Sequence, residues 1–222
     1  MVTAQRVKAD EGLPTGPRRF ECLQQLGAMI DAKTIVVTSI GGVRVEWHAV
    51  RPSPLNYNVH NLGLASSVAL GMAVALPERD VICLDGDASA LANLGGLVTA
   101  GYVGASNLVH IVFDNRSHES CGGIPTATSS RANLHEMACG AGLLSRQVHT
   151  VDEFAVAFGD IRGRGGFIHC IVKSAVEPGV GAVPYDFTEL KFRFMRALPE
   201  AVSMLEVPPP SHMVASGTEG DK

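Results

Sequence analysis

Short aliphatic and β-branched runs alternate with helix-compatible stretches along most of this chain, and two of the runs pass straight into turns built from acidic, amide and small residues: Cys83-Leu84-Asp85-Gly86-Asp87-Ala88-Ser89-Ala90 and Phe113-Asp114-Asn115-Arg116-Ser117. Continuously apolar runs suit strands covered on both faces. Strands that alternate with helices pack as a parallel sheet between two helical layers. Composition agrees, since aromatics are 5% while Gly numbers 24, which favours Ala/Val/Leu helices lying close on strands over an aromatic-rich sandwich. With 222 residues, 46% of them apolar, the chain is long enough for one large domain that buries about 70% of its unfolded surface.

The pattern predicts an N-terminal arm over residues 1–16, a domain over 17–198 and a flexible tail over 199–222, where Pro208-Pro209-Pro210 and a polar end follow the last helix-like stretch. Within the domain we expect a helix from Arg18 to Ile30, a strand from Thr34 to Ile40 closed by Gly41-Gly42, and a loop from Arg51 to Asn61. A helix from Leu64 to Leu76, ended by Pro77 and apolar enough all round to be buried on more than one side, comes next. Strand 80–84, helix 91–103, strand 108–114, a long loop to Asn133 and a short helix to Cys139 continue the alternation. Strand 146–148, helix 151–161 behind Asp152-Glu153, strand 167–172 and helix 187–198 complete it. The expected fold is α/β, an open, mostly parallel, doubly wound sheet with helices on both faces. Such sheets bind ligands outside the carboxyl ends of their strands, which directs attention to the turns after Leu84 and Asp114.

Charge and cysteines exclude several classes. Lys and Arg total 18 against 22 Asp and Glu, a net charge of −4, so no basic stripe recruits nucleic acid. Five widely spaced cysteines without a C-x-x-C suggest neither a disulfide framework nor a thiolate zinc site. No apolar h-region or membrane-length run occurs, so a cytoplasmic protein without membrane association is expected. A nicotinamide-binding domain is disfavoured, because no G-x-G-x-x-G opens a helix after the first strand, and Gly163-Arg164-Gly165-Gly166 precedes a strand instead.

The two turns suggest a shared anion and cation site. Backbone amides around Gly86 can approach a diphosphate, and Asp87 can hold a hard divalent cation that neutralises it. Asn115 and a nearby carbonyl add oxygen ligands of the kind Mg²⁺ accepts. A helix-cap role explains Asp87 about as well when that turn is taken alone.

Gly86-Asp87-Ala88 and Asp114-Asn115, with twenty-eight positions from Asp87 to Asn115, resemble the G-D-G and N-N hallmark of the diphosphate-binding (PP) domain of thiamine-diphosphate-dependent decarboxylases. Ala88 stands where that family has its second Gly and Asp114 where it has its first Asn. The stretch Asn115 to Thr126 is similar to the loop of phosphonopyruvate and sulfopyruvate decarboxylases, and Val176-Glu177-Pro178-Gly179 with Leu190 to Met195 to the C-terminal end of sulfopyruvate decarboxylase β subunits. Asn61-Leu62-Gly63, with Gly71 eight positions later, resembles the segment that grips the aminopyrimidine.

The resemblance implies a lyase: one subunit of a non-oxidative 2-oxo acid decarboxylase that uses thiamine diphosphate and Mg²⁺. It implies metal ligands at Asp87, Asn115 and the Ser117 carbonyl. Cofactor contacts are implied at His60, through its carbonyl, and at Asn61, Leu62, Gly86, Asp87, Ala88, Ser89, Asn115, Ser117 and His118, with Leu62 as the wedge that bends the cofactor. His118 and Glu119 are candidate catalytic groups, although a loop salt bridge would explain them equally well. The activating Glu of the family sits on a pyrimidine-binding (PYR) domain for which this length leaves no room, so a PYR-domain α subunit is the expected partner, in an α2β2 heteromer acting on a small anionic 2-oxo acid. Carboligation or aldehyde transfer, and a non-catalytic stabilising or regulatory subunit, are the alternatives.

Overall fold

The structure, a computed structural model, describes residues 15–173 and 176–198, so the expected arm and tail lie almost wholly outside the described residues. Strands β1 (Ile35–Thr38), β2 (Asn56–Asn58), β3 (Val81–Gly86), β4 (Leu108–Asp114), β7 (Ser145–Val148) and β8 (Gly166–Ile171) form one sheet in the order β2-β1-β3-β4-β8-β7, and every neighbouring pair is parallel. The α/β expectation is met. The remaining strands, β5 (Ser117–His118) and β6 (Ile124–Pro125), pair antiparallel inside the loop after β4.

Both faces of the sheet are buried, and successive side chains divide between them. Val36, Ile82, Leu84, Val109, Ile111 and Phe113 point to a layer made by α1 (Arg19–Met29), α2 (Gly42–Val50) and α7 (Val151–Ile161), filled by Leu23, Leu26, Trp47, Phe154 and Phe158. Ile35, Val37, Val81 and Cys83 point the other way, toward α3 (Ala65–Ala75), α5 (Leu94–Val103) and α8 (Phe187–Ala197). Val112 and Phe167 continue that second layer beneath α4 (Asp87–Ala92) and α6 (Leu134–Gly140). Cys83 is a core residue, as its apolar neighbours suggest.

Local chemistry explains the element ends. Thr150 accepts from Glu153 N to cap α7, Asn133 accepts from His135 N and Glu136 N to cap α6, and Asp186 accepts from Glu189 N to cap α8. Several expectations need correction. The stretch after Gly41-Gly42, for which no element is expected, forms α2, and β2 lies inside the expected loop 51–61. The expected helix 91–103 is two helices, α4 and α5, broken at Asn93, whose φ of −144° leaves the helical region. Helix α3 leaves Ser67, Gly71 and Val74 exposed, Val74 at 59%, so within this chain it is covered on one side only. Apolarity all round signals burial without saying which chain supplies the cover.

Candidate active site

The chain runs from β1 outward through α2 to the edge strand β2, then crosses back to β3 on the other side of β1. The winding therefore reverses between β1 and β3, and their carboxyl ends together with that of β4 open onto one cleft, as the topology of such sheets requires. The cleft encloses about 220 Å³. Ser39 to Val43 wall it from β1 and α2, Asp85 to Ser89 from β3 and α4, and Asn115 and Ser117 to Cys121 from the segment after β4.

Of the residues implied by the sequence, Leu62, Gly86, Asp87, Ala88, Ser89, Asn115, Ser117, His118 and Glu119 line this cleft. His60 and Asn61 do not. They face a neighbouring groove against α8, where the His60 ring meets Phe187 edge-on at 4.1 Å between centroids. The His60 and Asn61 side chains thus lie in a groove separate from the cleft, which leaves the expected contact through the His60 carbonyl untouched.

Each floor residue is fixed by a partner on another element. Asp87 is buried, and its Oδ2 accepts from Thr126 Oγ1 at 2.6 Å and lies 3.4 Å from Thr128 Oγ1. Thr128 Oγ1 also lies 2.8 Å from Asp114 Oδ1, and Asp114 Oδ2 pairs with His169 Nε2 at 2.8 Å. Burial and the neighbouring Asp114 carboxylate push the Asp87 carboxyl up to about 7. Asp114 moves oppositely: burial would raise it, but the hydrogen bond and charge of His169, with the donors Thr128 and Arg116 N, hold it below the usual carboxylate range. Asn115 is buried and closes an Asx turn, its Oδ1 accepting from Ser117 N at 3.0 Å.

A repeated device shapes the two strand ends. Asp85 accepts from Gly86 N at 2.9 Å and lies 3.3 Å from His110 Nε2, while Asp114 accepts from Arg116 N at 2.8 Å and pairs with His169. In both cases the last acidic residue of a strand holds the following turn and is itself held by a His of the next strand. Cys83, Asp85 and His110 sit within 4.8 Å of one another, but burial drives the Cys83 thiol upward and Asp85 and His110 already satisfy each other.

Sequence reasoning missed Thr126, Thr128, His169 and the β1–α2 wall. It also missed Arg19, which carries the signal least visible in sequence. Arg19 is buried, pairs with the fully buried Glu46 of α2, and reaches Glu119 Oε2 at 3.3 Å. Glu119 is therefore held from across the cleft by α1. Ser89, implied as a cofactor contact, spends its hydroxyl on Gly63 N at 3.0 Å and so ties the Leu62 loop to α4, with Asn93 Nδ2 donating to the Gly63 carbonyl at 2.9 Å. Leu62 itself stays 50% exposed at the cleft.

A parallel sheet with an oxygen-rich, glycine-lined cleft at its switch point defines an α/β enzyme domain built to hold a phosphate-bearing cofactor. Residues 40–170 match the thiamine pyrophosphate enzyme C-terminal TPP-binding domain, and the chain belongs to that family. It is 35% identical over 143 residues to the sulfopyruvate decarboxylase subunit beta of Methanocaldococcus jannaschii, covering 64% of this chain and 76% of that one. It is 31% identical over 208 residues to the phosphonopyruvate decarboxylase of Streptomyces hygroscopicus, covering 91% of this chain but 49% of the relative. The benzoylformate decarboxylase structure from Polynucleobacter necessarius superposes with a TM-score of 0.63 at 18% identity, over 72% of this chain and 34% of that one, which shows the shared fold. This chain thus spans about half of one relative and a third of the other fold.

The cleft fits the family's cofactor. A Cβ built at Gly86 or at Gly41 meets nothing within 4 Å, so the backbone there is open to the approach a diphosphate would need. Ser39 Oγ is buried at the cleft wall with no hydrogen-bond partner, and Asp87 is a buried carboxylate that a cation would relieve. Among the described residues, no helix is long and apolar enough to cross a membrane.

Proposed function

We propose that this chain is the diphosphate-binding subunit of a non-oxidative 2-oxo acid decarboxylase that works with a PYR-domain partner. The convergence of Asp87 and Asn115, from two neighbouring strand ends, on one glycine-lined cleft carries the proposal. The names of the relatives, decarboxylases of sulfopyruvate and phosphonopyruvate, favour a small anionic 2-oxo acid as substrate.

In this reading Asp87, Asn115 and the Ser117 carbonyl hold Mg²⁺, and the backbone from Gly86 to Ser89 receives the diphosphate. When bound, thiamine diphosphate supplies the electron sink for cleaving a carbon–carbon bond next to a carbonyl. The chain's own residues bind and orient. Thr126 ties down one oxygen of the Asp87 carboxylate, which lines the cleft. Leu62, tethered through Gly63 to Ser89, offers an apolar edge for the cofactor's middle. Arg19 pairs with Glu119 and fixes its position, so that it orients polar groups at the cleft, and His118 beside it is the group available for proton transfer.

Exposed apolar residues support a partner. Val98, Tyr102, Val74 and Leu64 are 62%, 92%, 59% and 43% exposed on α3, α5 and the loop leading to α3. The test combines the chain with a PYR-domain subunit and follows CO₂ release from 2-oxo acids. Asp87→Ala should lower the rate by at least a hundredfold, and undiminished release would refute the metal assignment. Added aldehyde consumed into product would move the reading toward carboligation.

A further inference from the structure

A second cavity of about 150 Å³ is walled by α2, residues 52–54, β2 and α8, and shares no lining residue with the cofactor cleft. Its charged lining has one sign. Arg44 and His48 enter from α2 and Arg193 from α8, and no Asp or Glu lines it. Among the described residues neither guanidinium has a carboxylate within ion-pair distance. The acidic groups of the adjoining elements are turned elsewhere: Glu46 pairs with Arg19, Asp186 caps α8, and Glu189, one turn before Arg193 on α8, neither lines the cavity nor forms an ion pair with Arg193.

What the two cations have instead are rings. Arg193 Cζ lies 4.0 Å from the centre of Tyr185, and Arg44 Cζ lies 5.0 Å from that of Phe187. A guanidinium stacked on a ring keeps its in-plane N–H edge for hydrogen bonds, which is the geometry that grips an oxyanion bidentately. Arg44 Nε is buried without a hydrogen-bond partner. Burial, then Arg193 and Arg44, hold the His48 imidazole below its usual range, as expected of a positive field with no counter-charge. Partly buried cations lacking a partner are costly, and an anion between them would remove that cost.

We propose that this cavity is a binding site for a compact phosphate-type oxyanion, held between Arg44 and Arg193 beside His48. Its size admits the anion, or the head of a small phosphate ester whose remainder leaves along Pro52, Pro54 and Leu190, and excludes a whole nucleotide. The site stands independently of the function proposed for the cleft.

The test titrates the full chain with inorganic phosphate by calorimetry, in EDTA and at constant ionic strength in a chloride background, with glycerol phosphate as a second arm. We expect saturable binding of one anion, accompanied by a shift of the His48 imidazole NMR signals. Arg44→Gln and Arg193→Gln, each checked for native circular dichroism, should weaken it at least tenfold, Arg193→Lys less, and Asp87→Ala should bind as wild type. Tighter binding of glycerol phosphate would identify an ester as the ligand, and equal or weaker binding the free ion. Absence of saturable binding to folded wild type, binding unchanged in both Gln variants, or binding lost in Asp87→Ala would overturn the proposal.

Discussion

Arg19 and Glu46 are an ion pair with almost no water around it, and such pairs are defined by what happens when one partner goes. Arg19→Met should cost about 3–5 kcal/mol, because Glu46 is left as an uncompensated buried charge, whereas adding Glu46→Leu should recover most of the loss. Urea unfolding at unchanged m reads both, and a double variant as unstable as the sum of the singles would contradict the argument. Asp87 makes the complementary case. Its carboxyl rises from 3.8 to about 7 on folding, so the folded chain binds the proton more tightly than the unfolded one. That contribution is complete below 3.8 and is lost as pH rises through 7. In EDTA, the melting temperature of wild type should therefore fall relative to Asp87→Asn between pH 5 and pH 8, by several degrees at about 2–4 °C per kcal/mol for a domain of this size. Mg²⁺ added at pH 8 should restore wild type and not the variant. A difference independent of pH would show that Asp87 stays ionised in the folded chain.

At the scale of elements, the strands of the sheet interior were readable because a fully buried parallel strand is a predominantly apolar run, and β3 and β4, the latter broken only by His110, are such runs ending on the residues that matter. The misreadings have specific causes. Helix α2 opens on glycine, its Gly41 N-cap has φ +112° and no capping side chain, so nothing local announces it. Strand β2 reads Asn-Tyr-Asn, a sequence that becomes a strand only because β1 offers it a free edge. The cleft was legible where chemistry is contiguous in sequence, at Gly86-Asp87 and Asn115, and illegible where it depends on contacts across many residues, as between Arg19 and Glu119 or Asp87 and Thr126. Two helical glycines show how far packing overrides propensity. Gly71 in α3 has nothing within 4 Å of a would-be Cβ, and Gly71→Ala should stabilise by about 0.5–1 kcal/mol. Gly101 in α5 presses on the backbone carbonyl of Ala141, which cannot swing aside as a side chain can, so Gly101→Ala should lower stability despite the same gain in propensity. Opposite shifts in the denaturation midpoints of the two variants are expected. Stabilisation of both would mean that the α5–α6 contact is looser than the structure has it.

At the scale of the molecule, a sheet with both faces covered coexists with large apolar side chains left exposed on its outer helices. Helices α3 and α5 leave Val74, Val98 and Tyr102 exposed, and Leu62 is exposed at the cleft. A monomer gains nothing from exposing Tyr102 at 92%, whereas a chain that completes its cofactor site with another polypeptide needs an apolar face beside the cleft. The partner proposed above is thus expected to cover α5. Tyr102→Glu and Val98→Glu, both at solvent-exposed positions, should leave the isolated chain's stability within about 0.5 kcal/mol of wild type. The same changes should abolish co-elution with the PYR-domain subunit, since a buried unpaired carboxylate at an interface is costly. Loss of co-elution with an unchanged melting temperature separates docking from folding. Full assembly of both variants would mean that the partner completes the cleft from another direction, and the exposed face of α5 would then need a different explanation.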